Sequence, residues 1–555
     1  MPSVLLIHPP VAKASEPPGG IAALAGALEK AGVECAVLDG NLEGLEGLIR
    51  SAAGGEDAWS RRALRDRERN LKSIRQSAIY AAPDRYVRVV ADLNRLLGNS
   101  APLCPDAPIR ISLANYQDHE LAPTRSQDLL QAARQPERNP FTAILEPVIT
   151  RAMERLQPAA VGFSLNYLSQ ALCTFALIGF VRRNWPGVRI LLGGGLVTSW
   201  AGRLPGEGGG RPGARPSQRT GPDCAPKPKP QSHLAGDLST PHENSFGGLV
   251  DILIPGPGEA RLLQLLGADS PGKVAHSLPD YSRFPLDAYF SPGRILPYAA
   301  SRGCYWNRCA FCPEPAEGNR FLPVGRSRVV EDLRLLADRY HPVLVHLVDN
   351  ALSPALLDAL IRMPPGPPWY GFVRFSHRLA DLAYCRLLRQ AGCVMLKLGL
   401  ESGSQSVLDQ EGKGVDLVLA EQVLKNLKAA GIASYVYLLF GTPSESECEA
   451  RATLEYTVRL HNEIDFLNVA LFNLPITGRI RQDLEIMPHT DDLSLYTAFR
   501  HPKGWDRRMV RRFLDREFRR HPAIAAILRR DPLLFTSNHA PFFVPSRPAG
   551  QGSSG

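Results

Sequence analysis

The chain has 555 residues, 44% of them hydrophobic, and a formal net charge of +9. This length exceeds what one ordinary hydrophobic core supports, so two or three domains are expected. The longest nearly apolar run, around residues 171–181, is too short to cross a bilayer, and the N-terminus lacks the basic region of an export signal, so we expect a cytoplasmic protein without a membrane span.

The positive charge is concentrated near the C-terminus. Residues 500–530 contain eleven Lys and Arg against three Asp and Glu. A solvated basic helical region is the favoured interpretation, because no aromatic residues alternate with the basic ones as in single-strand binding surfaces. Nucleic acid is therefore not an expected partner.

The N-terminal part alternates between strand and helix patterns. "SVLLIHPP" predicts a buried strand, "GGIAALAGALEKAG" a helix that ends at Gly32, and "VECAVLDG" a second strand. The pattern resumes with "AAVGFSL" as strand, "SQALCTFALIGFVRRNW" as helix, "VRILLGGGLV" as strand, and "LVDILIPGPGEARLLQLLG" as strand, glycine turn and helix. This alternation predicts an open, doubly wound, Rossmann-like α/β domain over residues 1–268.

Two insertions are expected within this domain. The first, residues 50–140, is arginine-rich and helical in pattern over 54–98, and proline-rich and irregular over 99–140. The second, residues 203–248, is rich in Gly, Pro, Ser and basic residues and almost free of large apolar ones. We predict that this second insertion is disordered, because it cannot bury a core.

The second half of the chain repeats the alternation of strand and helix. A proline-punctuated linker at residues 269–295 leads to six βα units over residues 296–478. Six such units predict a partial TIM-type barrel whose active site lies at the carboxyl ends of its strands. The remainder, residues 479–555, is predicted to be a basic helical region with a disordered tail.

Three of the ten cysteines lie together in "SRGCYWNRCAFCPE", as Cys304, Cys309 and Cys312. A structural zinc site needs four protein ligands, and the nearest histidines, His276 and His341, are far away in sequence. Three thiolates in one loop suit a [4Fe-4S] cluster with one iron left open. A zinc site with a distant fourth ligand and three incidental core cysteines are the less favoured alternatives.

The loop "CYWNRCAFC", after the first strand of a six-unit barrel, resembles the radical S-adenosylmethionine (SAM) superfamily. The resemblance implies that Cys304, Cys309 and Cys312 hold the cluster, that its open iron binds SAM, and that Phe311 contacts the adenine region. It also implies cleavage of SAM to a 5'-deoxyadenosyl radical with electrons from a reductant such as a flavodoxin or ferredoxin. Four residues separate Cys304 and Cys309 where three are usual, which requires a bulged loop with the same ligands.

Other strand ends resemble the SAM-contacting positions of that superfamily. They lie in "LVDN", "FVRFS", "KLGLESGSQSVLD" and "LLFGTPSES", and the matching residues are Asp349, Asn350, Arg374, Glu401, Gly441 and Glu445. Taken singly, each polar residue is better explained by a structural salt bridge. Their order and their common place at strand ends favour SAM binding.

Four turns of the first domain, in "HPPVAK", "SLNYLS", "GGGLVTS" and "GPGEA", resemble the cobalamin-binding domain of the cobalamin-dependent branch of that superfamily. The corresponding residues are Pro9, Pro10, Ser164, Gly193, Gly194, Gly195, Gly256, Gly258 and Glu259. The DxHxxG motif is absent, which implies cobalamin bound without a protein histidine or a domain that has lost cobalamin. A purely structural α/β domain is the alternative.

The favoured function is therefore a cobalamin-dependent radical SAM enzyme that transfers a methyl group to an unactivated carbon of a small-molecule or peptide substrate. The first alternative is a radical SAM enzyme that performs rearrangement, oxidation or cyclisation without methyl transfer. An alternative of another class is a noncatalytic iron–sulfur or nucleic-acid-binding protein with the basic tail as its contact surface. The segment "FTSNHAPFF", with His539, also resembles a segment of relatives, and no role for it follows from the sequence.

Overall fold

A computed structural model describes residues 3–53, 55–100, 109–201, 243–268, 276–488, 491–532, 534 and 539–543. Its two largest sheets each have six strands. The first sheet belongs to the N-terminal half and the second to the C-terminal half. Within the described ranges, every helix is too short or too polar to span a bilayer.

The first sheet is an open α/β sheet with the strand order β2-β1-β5-β6-β8-β7, parallel except for β7 at its edge. Its elements are β1 (Val4–His8), α1 (Gly19–Lys30), β2 (Cys35–Asp39), α2 (Gly40–Ser51), α8 (Pro140–Leu156), β5 (Ala160–Ser164), α9 (Leu168–Asn184), β6 (Arg189–Gly193), α10 (Gly195–Trp200), β7 (Glu243–Asn244), the helical turn α11 (Ser245–Gly248), β8 (Val250–Ile254) and α12 (Glu259–Leu265). All five residues of β1 are buried, as expected for a parallel strand covered by helices on both faces. The predicted doubly wound domain is confirmed.

The first insertion is ordered wherever the structure describes it. It contains α3 (Ala58–Arg65), α4 (Arg67–Ser73), α5 (Ser77–Tyr80), α6 (Pro83–Ser100), β3 (Ile109–Ser112), β4 (Asn115–Asp118) and α7 (Ser126–Arg134). The helical prediction for 54–98 is confirmed, but the irregular structure predicted for 99–140 is wrong. The strands β3 and β4 form an antiparallel hairpin because Ile109, Ile111 and Tyr116 all bury their side chains in the core.

The predicted disordered insertion lies outside the described residues except at its C-terminal end. There the prediction is wrong, because Glu243 of β7 pairs antiparallel with Ile252 of β8. The described part of the predicted linker, residues 276–295, is also packed against the first domain rather than exposed. Tyr281, Tyr289 and Phe290 are buried, and a Cβ on Gly26 of α1 would lie 1.9 Å from the carbonyl oxygen of Leu278.

The second sheet is parallel throughout, with the sequential order β16-β15-β14-β13-β12-β9. Its elements are β9 (Ile295–Tyr298), α14 (Arg326–Tyr340), β12 (Leu344–Leu347), α15 (Pro354–Arg362), β13 (Trp369–Val373), α16 (Leu382–Gln390), β14 (Cys393–Glu401), α17 (Gln405–Gln410), α18 (Leu417–Ala430), β15 (Ala433–Phe440), α19 (Glu447–Arg459) and β16 (Phe466–Leu471). A short hairpin, β10 (Ser301–Arg302) with β11 (Leu322–Pro323), and the turn α13 (Pro313–Ala316) follow β9. The edge strands β9 and β16 do not pair, so the predicted partial barrel is confirmed.

The C-terminal region becomes helical later than predicted. Between residues 474 and 506 the described chain forms β17 (Leu474–Pro475) paired with β18 (Tyr496–Thr497), a bridge from Ile486 to Phe499, and one 3-10 turn. Short paired segments take the place of long helices here because this part of the chain packs against the first domain. The Trp200 indole of that domain donates a hydrogen bond to the Leu493 carbonyl at 3.0 Å. Helices α20 (Arg507–Phe513) and α21 (Pro522–Leu528) follow.

Candidate active site

The cysteine loop joins β10 to α13 at the carboxyl end of the first barrel strand. Cys304, Cys309 and Cys312 are half-buried free thiols. Burial raises the pKa of Cys309, against the opposing effect of Lys413 and Arg374, and raises the pKa of Cys312 to about 12. These two thiols therefore stay protonated near neutral pH until a metal centre stabilises their thiolates.

The chemistry of this donor set favours a cluster over a single metal ion. Across the described ranges, no three His, Cys, Asp or Glu side chains come close enough together to hold one metal ion. A [4Fe-4S] cluster makes a different demand, because each thiolate binds a different iron atom and the sulfur atoms do not converge on one point. Three half-buried thiols in one loop fit that requirement.

The extra residue of the loop is absorbed by Asn307, which has a left-handed φ of 48°. Asparagine is one of the few residues other than glycine that adopts this conformation at low cost. Gly303, with φ of 69°, begins the loop, and a Cβ there would lie 2.4 Å from the Arg320 carbonyl oxygen. The four-residue spacing is thus accommodated by local backbone geometry.

A glycine loop that the sequence interpretation missed, Glu411–Gly414, packs directly on the cysteine loop. The Trp306 indole donates to the Gly412 carbonyl at 2.9 Å, and the Ala310 amide donates to the Glu411 carbonyl at 2.9 Å. A Cβ on Gly414 would lie 2.1 Å from the Trp306 ring, and its φ of 62° also requires glycine. The "EGKG" pattern after the fourth-strand motif was the available signal.

Arg374 and Lys413 connect the cysteine loop to the glycine loop. The Arg374 guanidinium lies 4.1 Å from the centroid of the Trp306 ring and donates to the Lys413 carbonyl. The Lys413 ammonium lies 5.5 Å from the Phe311 ring centroid and 2.7 Å from Glu401 Oε1. Three of the predicted SAM residues, Phe311, Arg374 and Glu401, therefore share one contact network with Cys309.

Glu401 ends β14 with a left-handed φ of 69°. Gly399, two residues earlier, makes room for its carboxylate, since a Cβ there would lie 2.4 Å from Glu401 Oε1 and 2.7 Å from Lys413 Nζ. The ion pair of Glu401 and Lys413 is largely shielded from solvent. The strand end thus presents one anionic and one cationic group beside Phe311.

Asp349 braces the start of the cysteine loop. Its buried carboxylate accepts hydrogen bonds from the Ala300 amide at 3.0 Å and from the Ser301 hydroxyl. Burial raises the pKa of Asp349. The neighbouring Asn350 is exposed, and its side chain hydrogen-bonds the Glu314 carboxylate after the third cysteine. Both residues therefore contact the loop from the end of β12.

Gly441 and Glu445 form a separate group beside α20. The Gly441 amide donates to Glu445 Oε2 at 2.5 Å, and the Trp505 indole donates to the same oxygen at 3.0 Å. Burial raises the pKa of Glu445 to about 7. This carboxyl group therefore holds the exit of β15 against the C-terminal region, a contact that sequence reasoning did not predict.

The glycine turn of the first domain, Gly193–Gly195, faces the same cleft. Gly194 has φ of 113°, and a Cβ there would lie 2.3 Å from the Leu165 carbonyl oxygen. The Gly195 amide donates to Asn166 Oδ1 at 3.0 Å, while the Asn166 amide donates to the Ser164 hydroxyl at 3.1 Å. Glycine is required here because the strand ends pack too closely to admit a Cβ atom.

The remaining predicted cobalamin residues divide into two groups. The Gly256 amide donates to Thr198 Oγ1 at 2.9 Å. Glu259, which follows Gly258 at the start of α12, pairs with Arg302, two residues before the first cysteine. By contrast, Pro9 and Pro10 are buried, and the Pro9 carbonyl accepts from the Gln170 amide at 2.7 Å. The two prolines therefore face the interior of the first domain.

A cavity of about 330 Å³ lies between the glycine turn and α13, the helical turn that follows the third cysteine. Gly195, Thr198 and Ser199 line one side, and Glu314 and Glu317 line the other. The Ser199 hydroxyl donates to Glu317 at 2.9 Å across this junction. The carboxyl ends of the two sheets therefore meet at one cleft.

Comparison with known proteins agrees with this geometry. The family profile described as the Radical SAM superfamily matches residues 298–457. An uncharacterized methyltransferase of Pyrococcus horikoshii is 26% identical over 202 residues, and a bacteriochlorophyllide d C-12(1)-methyltransferase of Chlorobaculum tepidum is 26% identical over 200 residues. Each match covers 34% of this chain and 42% of the relative, so the chain spans less than half the length of these curated relatives.

Two solved structures are similar over most of the chain. The cobalamin-dependent SAM radical enzyme OxsB, with aqua-cobalamin and SAM bound, has a TM-score of 0.50 and 12% identity, covering 90% of this chain and 64% of its own. The radical SAM methyltransferase TsrM of Kitasatospora setae has a TM-score of 0.48 and 16% identity, covering 85% and 76%. At such identities, the likeness to OxsB shows the fold alone. The three cysteines lie inside residues 298–457, the segment that matches the Radical SAM superfamily.

Proposed function

We propose that this protein is a cobalamin-dependent radical SAM methyltransferase acting on an unactivated carbon. The observation that carries the proposal is the common cleft, which has α13, directly after the third cysteine, on one side and the glycine turn on the other. In this proposal residues 1–268 form the cobalamin domain, 269–295 a connection, 296–478 the radical SAM domain and 479–555 a C-terminal region. A barrel end that faces a second ligand domain suits a reaction with two cofactors and one substrate.

The residues around the three thiols fit a [4Fe-4S] cluster. Lys413 and Arg374 place positive charge near Cys309 and favour the anionic state that cluster ligation needs. Trp306 and Gly412 fix the loop, so that the three ligands are held in place before the cluster is assembled. When bound, the cluster supplies the electron that cleaves SAM.

The ion pair of Glu401 and Lys413 suits the charged groups of SAM. Its carboxylate can accept a hydrogen bond from an ammonium or a ribose hydroxyl, and its ammonium can donate to a carboxylate. Phe311 adds an apolar surface for the adenine region beside Lys413. We assign Asp349, Asn350, Arg374, Gly441 and Glu445 to holding the surrounding loops in place, on the contacts described above.

The glycine turn supports cobalamin binding by the first domain. Gly194 and Gly195 keep the strand ends free of side chains, as close approach of a large ring requires. His8 is buried and burial lowers its pKa, so it is not presented to the cleft as a cobalt ligand. When bound, cobalamin supplies the methyl group. Both curated relatives carry the name methyltransferase, which supports the same assignment.

A radical SAM reaction without methyl transfer is the second candidate, and the size of the cavity favours it. A volume of about 330 Å³ is at the lower end of ordinary ligand pockets and encloses only part of a corrin ring. In either case we propose a small-molecule or peptide substrate and a reductant such as a flavodoxin or ferredoxin. A cytoplasmic location completes the proposal, because free half-buried thiols persist in a reducing compartment.

The test is anaerobic reconstitution of the full chain with iron, sulfide and hydroxocobalamin, followed by a turnover assay with methyl-deuterated SAM. The expected result is about four irons per chain, release of 5'-deoxyadenosine under a reductant, and deuterated methyl on retained cobalamin. Stoichiometric zinc in place of iron would contradict the proposal. Release of 5'-deoxyadenosine without retained cobalamin would support the second candidate.

A further inference from the structure

Two arginine-rich surfaces of this protein differ in how their charge is neutralised. In helices α3 and α4 of the first insertion, most arginines pair with carboxylates, as Arg62, Arg65 and Arg69 do. Along α20, the π-helical segment Leu514–Phe518 and the turn after it, five exposed arginines form no ion pair with any described carboxylate. We call these five the arginine face, and they are Arg508, Arg511, Arg512, Arg516 and Arg520.

The carboxylates nearest to the arginine face in sequence have other partners. Asp515 pairs with Arg519, and Glu517 pairs with Arg451 of α19. The third carboxylate, that of Asp506, accepts hydrogen bonds from backbone amides at the start of α20. The arginine face therefore extends over roughly 18 Å of helix without a described carboxylate to neutralise it. Because like charges repel one another, an anionic partner would stabilise this face.

The arginine face is anchored on the carboxyl end of the barrel. On the opposite side of the same helical segment, Phe513 and Phe518 are buried against Phe440, the last residue of β15, with ring centroids 6.2 Å and 5.1 Å away. Val510 packs on Gly441, where a Cβ would lie 3.2 Å from the valine side chain. The apolar side of the segment is thus fixed in the core, and its arginines face solvent.

Three hydrogen bonds connect this region to the cysteine loop. The ammonium of Lys503, just before α20, donates to the Ser444 carbonyl, and the Ser444 hydroxyl donates to the Glu411 carboxylate. The Glu411 carbonyl in turn accepts from the Ala310 amide at 2.9 Å, directly after Cys309. The basic C-terminal region is therefore joined to the loop that would hold the cluster.

The tip of the cysteine loop is itself exposed and basic. Asn307 and Arg308, the two residues before Cys309, are exposed, and a Cβ on Gly412 would lie 3.0 Å from the Arg308 carbonyl oxygen. The Arg308 guanidinium lies 5.1 Å from the Trp306 ring centroid and forms no ion pair with a described carboxylate. A protein that approaches the thiols over this tip therefore meets a further unpaired arginine.

The other side chains of the basic region favour a protein partner over a nucleic acid. Its aromatic residues, Trp505, Phe513 and Phe518, are buried, so none of them is available to stack on bases. The exposed apolar side chain beside the arginines is Met509, and both Met and Arg are enriched at protein–protein interfaces. An acidic protein surface is the electrostatic complement of such a face.

We propose that the arginine face docks an acidic electron donor of the flavodoxin class, and that Arg308 contacts this donor beside the cluster loop. The inference rests on the proposed function, because a cluster at the three thiols needs such a donor. The anionic hydroquinone of the donor's flavin loses one electron and becomes the neutral semiquinone. That electron passes to the cluster, and no proton is transferred. Attraction between the opposite charges speeds the encounter and weakens as ionic strength rises.

A comparison of a protein donor with a small-molecule donor tests the proposal. The reconstituted full chain is assayed for 5'-deoxyadenosine release with reduced flavodoxin and, separately, with dithionite, which needs no docking surface. Replacing Arg508, Arg511 and Arg512 together by Glu should raise the KM for flavodoxin tenfold or more. The dithionite-driven rate should stay within twofold of the wild type. Added salt should raise the KM of the wild type but not that of this variant.

A second triple variant makes the same change in net charge on other helices. Arg85 and Arg88 of α6 and Arg386 of α16 are exposed and form no ion pair with a described carboxylate. Their joint replacement by Glu should leave the KM for flavodoxin within twofold of the wild type. Arg308→Gln should raise this KM three- to tenfold at unchanged iron content.

Three results would overturn the docking surface. The first is an equal rise of the KM for flavodoxin in both triple variants, which would show an effect of net charge alone. The second is an equal loss of the flavodoxin-driven and dithionite-driven rates in the first variant. The third is an unchanged KM in that variant together with loss of a salt-sensitive affinity for an oligonucleotide, which would identify a nucleic-acid surface instead.

The dithionite assay separates this inference from the proposed function. A wild type that contains no iron, or releases no 5'-deoxyadenosine with dithionite, would contradict the proposed function, whatever flavodoxin does. A wild type that cleaves SAM with dithionite but neither binds flavodoxin nor accepts its electrons would contradict only the docking surface.

Discussion

The two six-stranded sheets are built from the same parallel βα units but use their faces differently. The first sheet is covered by helices on both faces, and its strand β1 is apolar and buried from Val4 to Ile7. The second sheet curls around an interior, where Lys397 and His346 lie among Tyr370 and Phe372. A flat covered sheet leaves only its strand ends for ligands, whereas a curled sheet also has an inner face.

The comparison explains where glycine and charge are placed. At the carboxyl ends of the strands in the first sheet, glycines such as Gly194 allow the chain to pack closely. Inside the second sheet, ionisable groups are tolerated because they hydrogen-bond one another, as Lys397 and His346 do. Two ways of building a site thus meet at one cleft, and substitutions in one sheet or the other should affect it differently.

The largest effect is expected at the barrel end of the cleft. Replacing Cys304, Cys309 and Cys312 by alanine should remove the cluster ligands and reduce SAM cleavage by at least roughly a thousandfold, because no electron donor remains next to SAM. The exposed Cys448 serves as the matched control, and Cys448→Ala should keep its iron. Iron content and 5'-deoxyadenosine release are measured for the triple variant and for the control. SAM cleavage by the triple variant would refute the assignment.

The first sheet should be most sensitive at Gly194. Gly194→Ala forces a Cβ to within 2.3 Å of the Leu165 carbonyl oxygen at a φ of 113°, and should lower the free energy of unfolding by roughly 3–5 kcal/mol. In the adjacent Gly195→Ala variant, the new Cβ would contact only Asn166 Oδ1, at 3.8 Å. The free energy of unfolding should therefore change by less than about 1 kcal/mol. Denaturant titrations compare the two. Equal effects would mean that the turn does not depend on close packing.

A pH dependence is expected at the exit of β15. Burial raises the pKa of Glu445 to about 7, so the folded state binds a proton more tightly than the unfolded state. Stability is therefore lost as pH rises through the interval between the unfolded pKa and about 7. Glu445→Gln should be more stable than the wild type by on the order of 3 kcal/mol at pH 8, and most of this difference should disappear at pH 5.

Glu449→Gln is a control for that measurement, because its stability relative to the wild type should change with pH in the opposite direction. Hydrogen bonding to Ser446 lowers the pKa of Glu449, so its ionised form stabilises the folded state at neutral pH. This variant should lose stability relative to the wild type at pH 8 and approach it as the pH falls. Thermal unfolding across the pH range distinguishes the two carboxylates, and parallel profiles would contradict both assignments.

The smallest effect is expected at Arg374, which holds two loops together. Arg374→Ala removes the contact with Trp306 and the hydrogen bond to Lys413, and should lower stability by about 1–2 kcal/mol. Cluster loss on dilution should become faster because the cysteine loop loosens. Arg386→Ala, on the exposed face of α16, is the control. An unchanged rate of cluster loss would show that Arg374 does not hold the cysteine loop.

The sequence by itself was sufficient for the parallel strands and the helices of the two large sheets and for the cluster loop. Runs such as residues 4–8 and 433–440 are apolar enough to be recognised as buried strands, and three cysteines within nine residues limit the metal chemistry. The hairpin at residues 109–118 was missed because its burial depends on contacts with distant residues. Tyr116, for example, packs against Phe141 at 6.2 Å.

Only the tertiary structure decided which polar residues share a site. Glu16 and His346 are 330 positions apart, yet they form one hydrogen bond because the first-domain loop enters the open side of the barrel. Lys413 meets Phe311 because glycines at 412 and 414 let two loops pack closely. Local sequence patterns determine where strands and helices form and which residue types can bind a metal. Contacts between distant segments depend on how whole domains pack against each other.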